Sequence, residues 1–231
     1  MSIKSKAISG AKWTTVSTAV GAVLQFAQVA IVARMLEPSS FGIVSISTLI
    51  INFLSIFAHF GFANSIIHKQ ETDRKVLSTI YFFNIIIGIA LLLIIYLCIP
   101  LFVAYYNEPA LASVLKVSAF YFPIVFIGQI YNIMLEKELR FRTIALIEIS
   151  GATVAICLTI VLAYQGYEAM ALIYGMLAGQ AVRVICQNIA GRKLFTPIFY
   201  FKIKEIKDHL KFGAFNVADS ILGFANTNID S

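Results

Sequence analysis

The chain has 231 residues, of which 59% are hydrophobic and only 13% charged, with a formal net charge of +6 and a mean hydropathy of +0.85. A soluble domain carries about 25% charged and about 45–50% apolar residues, so a water-soluble globular domain is excluded. The remaining charge sits in short clusters between long apolar runs, the pattern of a polytopic membrane protein. The positive balance calls for no nucleic acid, because topology and attraction to anionic lipid account for it.

A bilayer core about 30 Å thick takes roughly 20 helical residues to cross. Seven runs meet or approach that length: 12–34, 40–62, 77–103, 111–135, 143–164, 167–189 and 210–231. Backbone groups in hydrocarbon must be satisfied within their own segment, which makes these runs helices. The polar–apolar alternation of barrel strands is absent. The predicted fold is an all-α polytopic helical bundle. Lys4, Lys6 and Lys12 resemble the basic start of a signal peptide, but the run after them is too long and lacks a cleavage site, so it is read as a retained first span.

The connections alternate in character. EPSS, YYNEPA and YQGYEA are short and acidic or neutral, whereas HKQETDRK, EKELRFR and GRKLFTPIFYFKIKEIKDH are basic. Of 18 Lys and Arg, only Arg34 and Lys116 fall near the other side. Positive loops stay in the cytoplasm, which predicts a multi-pass protein with a cytoplasmic amino terminus. The expected organisation is an amino-terminal lobe over 1–189, a basic cytoplasmic linker over 190–209, and a truncated seventh helix over 210–231 that begins a second lobe.

Polar residues fall on narrow helical faces. In the first span Thr14, Ser17, Thr18, Gly21, Gln25 and Gln28 align, in the second Ser45, Thr48, Asn52, Ser55 and His59, and in the seventh Asn216, Asp219, Ser220, Gly223, Asn226, Thr227 and Asp230. One or two such residues serve as interhelical glue. Stripes running most of a helix fit a water-filled cavity better. Charges inside spans are rarer still: Glu148 in the fifth and Arg183 in the sixth both lie about 9 Å from the basic end and can form an ion pair. Gln180 and Gln187 share the Arg183 face. Asp219, Asp230 and Glu148 are the candidates for binding a coupling ion, H⁺ or Na⁺. His59 is a candidate pH-sensitive group. Lys116 and Arg34 are read as snorkelling side chains. Pro123, Gly21, Gly88, Gly151 and Gly223 are read as residues ordinary in membrane helices rather than as hinges. Cys98, Cys157 and Cys186 lie in apolar runs, show no metal spacing and are read as small buried residues.

Walker, HExxH, GxSxG and zinc signatures are absent, and no loop is long enough for a catalytic domain. Secondary transport is therefore expected rather than catalysis, with an ion gradient instead of a bound cofactor or metal.

ISGAKW at 8–13, QVAIVARMLEPSSFGIVSIS, FGFANSIIHKQE, YNEPALASVLK, EKELRF and LKFGAFNVADSILGFANTNID together resemble the polysaccharide transporter family, and within it the lipopolysaccharide and colanic acid exporters of the multidrug/oligosaccharidyl-lipid/polysaccharide superfamily. The resemblance runs through essentially the whole chain. It implies a flippase about twice this length, with two lobes around a central cavity, alternating access, and undecaprenyl-diphosphate-linked oligosaccharide as cargo for exopolysaccharide, O-antigen or capsule assembly. A polysaccharide polymerase and co-polymerase are implied as possible partners. In that setting Gln25, Gln28, Asn52 and Asn226 would bind sugar hydroxyls and Arg183 would attract the diphosphate. Two departures stand out. Relatives that flip peptidoglycan precursor carry arginines where this chain has Ala22 and Gln28, and close relatives often have an acidic residue where this chain has His59. The alternatives are a multidrug/cation antiporter of the same superfamily, a membrane-embedded polymerase or glycosyltransferase, and an assembly scaffold.

Overall fold

The computed structural model describes residues 3–58 and 62–211, and they form an all-helical bundle. Among the described residues the helices run in chain order as α1 Ile3–Val32, α2 Pro38–Ala58, α3 Phe62–Lys69, α4 Arg74–Tyr106, α5 Ala110–Ser118, α6 Tyr121–Lys137, α7 Phe141–Tyr164 and α8 Glu168–Gly191, followed by a 3-10 turn at Ile203–Ile206. Six described segments are long and apolar enough to cross a bilayer: Ser9–Val32, Pro38–Ser55, Arg74–Tyr106, Ala110–Lys137, Phe141–Tyr164 and Glu168–Gly191. The expected all-α bundle with six spans stands. The seventh run, with Asp219, Asn226 and Asp230, lies outside the described residues, as does His59.

Two local features depart from the sequence reading. The fourth span, expected as one helix over 111–135, is broken between α5 and α6 at Ala119 and Phe120. Pro123 has no N–H to give the Ala119 carbonyl, and that carbonyl instead accepts the Phe122 N–H at 3.3 Å in a tighter turn. Proline is therefore the cause of the break, whereas Pro100 sits inside an unbroken α4. The second difference is α3, a short helix that the sequence reading merged into the end of the second span and the following loop. It packs Phe62 and Ile66 against Ile130, Ile133 and Met134 of α6 at the basic end of the bundle.

The bundle is polarised end to end. Tyr105 and Tyr106 finish α4, Tyr164 finishes α7 and Tyr167 precedes α8, so one end carries a tyrosine girdle of the kind found at membrane interfaces. Lysines and arginines gather at the other, basic end. The core lies where α4, α5 and α6 meet, around Leu91, Ile95, Leu115, Phe122 and Phe126. Gly88 lets α6 approach there, since a Cβ at that position would stand 2.8 Å from the Phe126 ring.

The tightest packing joins α7 to α8. Gly175 and Gly179 form a GxxxG pair on α8, and Gly151, Ala155 and Thr159 repeat the same spacing on α7. Small residues four apart let two helix backbones close up in lipid, where hydrophobic driving force between helices is missing. A Cβ on Gly179 would lie 2.6 Å from the Gly151 carbonyl oxygen, and one on Gly175 would lie 2.7 Å from the Ala155 carbonyl. α1 leans on α7 along most of its length. At the basic end Arg142 stacks over the Trp13 ring, 5.3 Å from its centroid, and Gly10 admits the Phe141 ring. α2 instead packs on α5 and α8 and is pinned by a buried hydrogen bond of 3.0 Å from the Ser47 hydroxyl to that of Ser118.

Candidate functional site: a polar groove beside the first helix

Because α1 follows α7 and α2 follows α5, the two helices diverge from their short connection and leave space between them. Gln25 and Gln28, three residues apart on one face of α1, project into it. A groove of about 560 Å³ runs between Gln25, Gln28 and Val29 of α1 and Phe41, Val44, Ser45, Thr48, Leu49 and Asn52 of α2, with Leu172 of α8 at its floor. A second groove, about 360 Å³, lies on the other flank of the same glutamines. Gly21 and Leu24 of α1, Ala152, Ala155 and Ile156 of α7, and Leu172, Met176 and Arg183 of α8 line it. The two grooves share Gln25, Gln28 and Leu172 and form one polar path. Among the described residues no carboxylate lines either groove directly, and Glu148 stands just behind the lining Arg183.

The structure thus brings together four of the sequence-predicted residues: Gln25, Gln28, Asn52 and Arg183. Their circumstances differ. Gln28 Nε2 donates to Thr159 Oγ1 at 3.4 Å, a long bond that ties α1 to α7. Gln25 and Asn52 are exposed and have no hydrogen-bond partner among the described residues, so their amides are available to a ligand. Ser45 bonds back to the Phe41 carbonyl at 2.8 Å, which spends its proton within its own helix and leaves the oxygen as an acceptor.

Arg183 is held in place from both sides. Its Nε lies 2.8 Å from Glu148 Oε2, and its Nη1 donates to Gln180 Oε1 at 3.3 Å. The side chains are 23% and 45% exposed respectively, so the pair sits at the wall of the groove rather than in the core. Gly151 makes this possible, because a Cβ there would collide with the Arg183 Cγ. Arg183 also continues the Gly175–Gly179 row by one turn, so the seam that brings α7 and α8 together ends in the ion pair. The expected Glu148–Arg183 pairing is present.

Other expectations fall elsewhere. Gln187 shares a helical face with Arg183 but turns into α6, where its Nε2 reaches Asn132 Oδ1 at 3.4 Å and its Oε1 fills the space above Gly128. It belongs to helix packing. Lys116 and Arg34 are exposed and line neither groove. Cys157 is exposed rather than buried, because the face of α7 opposite the seam has no neighbour among the described helices. The sequence reading passed over Thr159 and the small-residue seam. The signal was there as G-M-L-A-G at 175–179 facing Gly151, Ala155 and Thr159 at matching intervals.

A groove lined by amides and hydroxyls, bordered by one guanidinium and set inside a six-span bundle, suits a neutral polar cargo carrying an anionic group. The family model for polysaccharide biosynthesis protein matches residues 31–231. The chain belongs to that family. Among its relatives are the Escherichia coli lipopolysaccharide biosynthesis protein WzxC, 34% identical over all 231 residues, and the Bacillus subtilis teichuronic acid biosynthesis protein TuaB, 30% identical over 99% of the chain. The Rhizobium meliloti succinoglycan biosynthesis transport protein ExoT is 20% identical over 84% of it. The match occupies 47% of WzxC and of TuaB, so the chain spans about half the length of these family members. No solved structure matches it. Membership bears out the resemblance carried by the sequence motifs, and it identifies a multi-pass membrane protein related to bacterial polysaccharide biosynthesis transporters.

Proposed function

We propose that this chain forms the amino-terminal lobe of a flippase that moves undecaprenyl-diphosphate-linked oligosaccharide across the bacterial inner membrane, with its basic end in the cytoplasm. The observation that carries the reading is the path around Gln25 and Gln28: amides and hydroxyls run along it, of which Gln25, Asn52 and Thr48 have no partner among the described residues, and a cation stands at the edge. Sugar hydroxyls need donors and acceptors that are free but fixed, and Gln25, Asn52 and Thr48 offer them. A diphosphate needs a cation reachable from the same path, and among the described residues Arg183 is the cation that lines it. The lipid tail would stay in the bilayer while the sugar crosses. The described lining is rich in amides and hydroxyls and holds no carboxylate, which favours sugar over a cationic drug as cargo.

Transport would be driven by an H⁺ or Na⁺ gradient. Diphosphate drawn to Arg183 would compete with Glu148 for the guanidinium. Glu148 would then lack its counter-ion, and a coupling cation could replace it. Asp219 and Asp230 remain further candidates for that role, and Asn226 for sugar binding. Any polymerase or co-polymerase would be engaged outside the described surface.

The test is genetic and chemical. Deleting the gene should accumulate lipid-linked repeat units on the inner leaflet and abolish surface polysaccharide. Wild-type protein should reverse both effects, and Gln25→Leu with Asn52→Leu should not, although the protein is made at normal level. Unchanged lipid-linked pools in the deletion strain would sink the proposal.

A further inference from the structure

The segment after α8 does not leave the bundle at once. Residues 192–211 fold back as a strap across the basic end. Phe195 and Ile206 are buried against Phe62, Ile66, Tyr131 and Met134. Three bonds pin the strap to the first turns of α4: Arg74 Nε donates to the Thr196 carbonyl at 2.8 Å, Ile198 N–H to Ser78 Oγ at 3.0 Å, and Lys202 N–H to Thr79 Oγ1 at 3.4 Å. Arg74 also donates through Nη2 to the Thr196 hydroxyl.

Between strap and α4 lies a pocket of about 290 Å³. Its polar rim is Thr72, Arg74, Arg192, Lys193 and Thr196, and its floor is apolar, with Leu77 and Phe195 both buried. Three cations therefore converge on one small space with no carboxylate in its lining. The nearby acids are committed elsewhere. Glu71 Oε1 accepts the N–H groups of Thr72 and Asp73, and Asp73 caps the Lys75 N–H. Arg192 and Lys193 have no side-chain acceptor among the described residues. Three convergent like charges repel one another and call for an anion from outside.

The pocket's position says which anion. It sits where α4 begins and α8 ends, at the ends of two candidate spans, which in a bilayer would fall at the lipid head groups. Beside it Phe199 is fully exposed and stacks on Phe82 of α4, and exposed Phe201 and Ile203 alternate with Lys202 and Lys204. Exposed aromatic and aliphatic side chains interleaved with lysines suit the boundary between acyl chains and head groups. We infer that this pocket binds the phosphate of an anionic phospholipid, with Arg74, Arg192 and Lys193 as its ligands and the apolar floor receiving the start of the acyl region. Basic pockets between membrane helices take anionic head groups on the same physical grounds. The site is separate from the groove and does not depend on which sugar, if any, is moved.

The experiment is native mass spectrometry of the purified protein in detergent, titrated with phosphatidylglycerol or phosphatidylcholine. Wild type should retain the first phosphatidylglycerol at least about tenfold more strongly than phosphatidylcholine. Arg192→Gln with Lys193→Gln should erase that preference. Lys204→Gln with Lys207→Gln removes the same charge outside the pocket and should leave it intact. Thr72→Trp fills the pocket with no change of charge and should also erase it. Equal losses in both glutamine pairs would reduce the effect to diffuse surface charge and overturn the site. Retention of the preference in Thr72→Trp would overturn it too, as would its absence from wild type. Displacement of the lipid by inorganic phosphate at comparable concentration would overturn the lipid assignment.

Discussion

The seam between α7 and α8 and the groove between α1 and α2 are built from the same materials to opposite ends. Both use small and polar side chains at three- or four-residue intervals in otherwise apolar helices. In the seam, a Cβ added at Gly151, Gly175 or Gly179 would collide with the facing helix. In the groove, Gly21 has nothing within 4 Å of where a Cβ would stand, and Gln25 and Asn52 have no hydrogen-bond partner among the described residues. Identical spacing therefore does not decide between packing and cavity. What decides is whether a second stripe of small residues stands opposite. α8 answers α7 with its own glycines, whereas α2 answers α1 with serine, threonine and asparagine.

The largest effect should come from filling the seam. Gly179→Val drives a branched side chain into the Gly151 carbonyl, which cannot move without unpacking α7, and should cost about 3 kcal/mol or more. Thermal unfolding in detergent should show a fall of many degrees or loss of expression. Gly21→Ala, made in the groove helix, should leave the transition where it is or raise it slightly, since alanine is the better helix former. A drop of similar size at both positions would erase the distinction between the regions.

Next is the ion pair that ends the seam and borders the groove. Removing either partner leaves a charge poorly matched at the membrane wall. Because both side chains are partly exposed, the cost should be modest, about 1–2 kcal/mol for Glu148→Gln or Arg183→Gln alone. The double replacement should recover part of that stability, and the pair should show coupling in a thermodynamic cycle. Export should behave differently: if Arg183 draws the cargo as proposed, Arg183→Gln should abolish export in either background. Restored export in the double variant would make the pair structural.

Most of the architecture was legible because a bilayer imposes it. Length and apolarity set the six spans, and the alternation of basic and neutral loops gathers the cations at one end of the bundle. The Glu148–Arg183 pair was legible because charges in spans are rare and these two share a depth. The break at Ala119 was not read, since proline in a membrane helix kinks some chains and spares others, as Pro123 and Pro100 show within this one. The destination of Gln187 was missed for another reason. It lies one turn from Arg183, yet α8 meets α7 along one edge of that face and α6 along the other. A single sequence gives the face of a helix but not which neighbour covers which part of it. For Asp219, Asn226, Asp230 and His59 the sequence reading stands alone.

A smaller effect separates the two glutamines. Gln28 bonds Thr159 at 3.4 Å, and a bond that long between neutral groups contributes well under about 1 kcal/mol. Gln28→Leu should lower the melting temperature by at most a degree or two, and Gln25→Leu not at all. Both should reduce export if the stripe lines a path for sugar. Unchanged export in both variants would turn the groove into a packing defect and remove the functional half of the comparison.

The smallest effect concerns the strap's hold on the bundle, and it depends on pH. His209 is buried at 3% exposure, with Nδ1 2.7 Å from the Ser65 hydroxyl and Nε2 3.7 Å from Glu71 Oε2. Burial pushes its pKa below the ordinary histidine value and the Lys69 ammonium adds to this, while Glu71 and Asp208 pull the other way without prevailing. Lys137 also approaches, donating to the Glu71 carbonyl. The docked strap thus prefers neutral His209, and the undocked strap takes up a proton near the ordinary value of about 6.5. Docking is at full strength above that pH and weakens as pH falls through it toward the lowered native value. Hydrogen exchange over residues 192–211, corrected for its intrinsic pH dependence, should show less protection at pH 5.5 than at pH 7.5. His209→Gln keeps a polar partner for Ser65 but cannot titrate, and should flatten that difference. Protection that rises on acidification would mean that Glu71 governs the site after all and that protonated His209 is a clamp. The groove gives the contrast, since no histidine lines it among the described residues and exchange over 13–32 and 38–52 should not follow the same pH dependence.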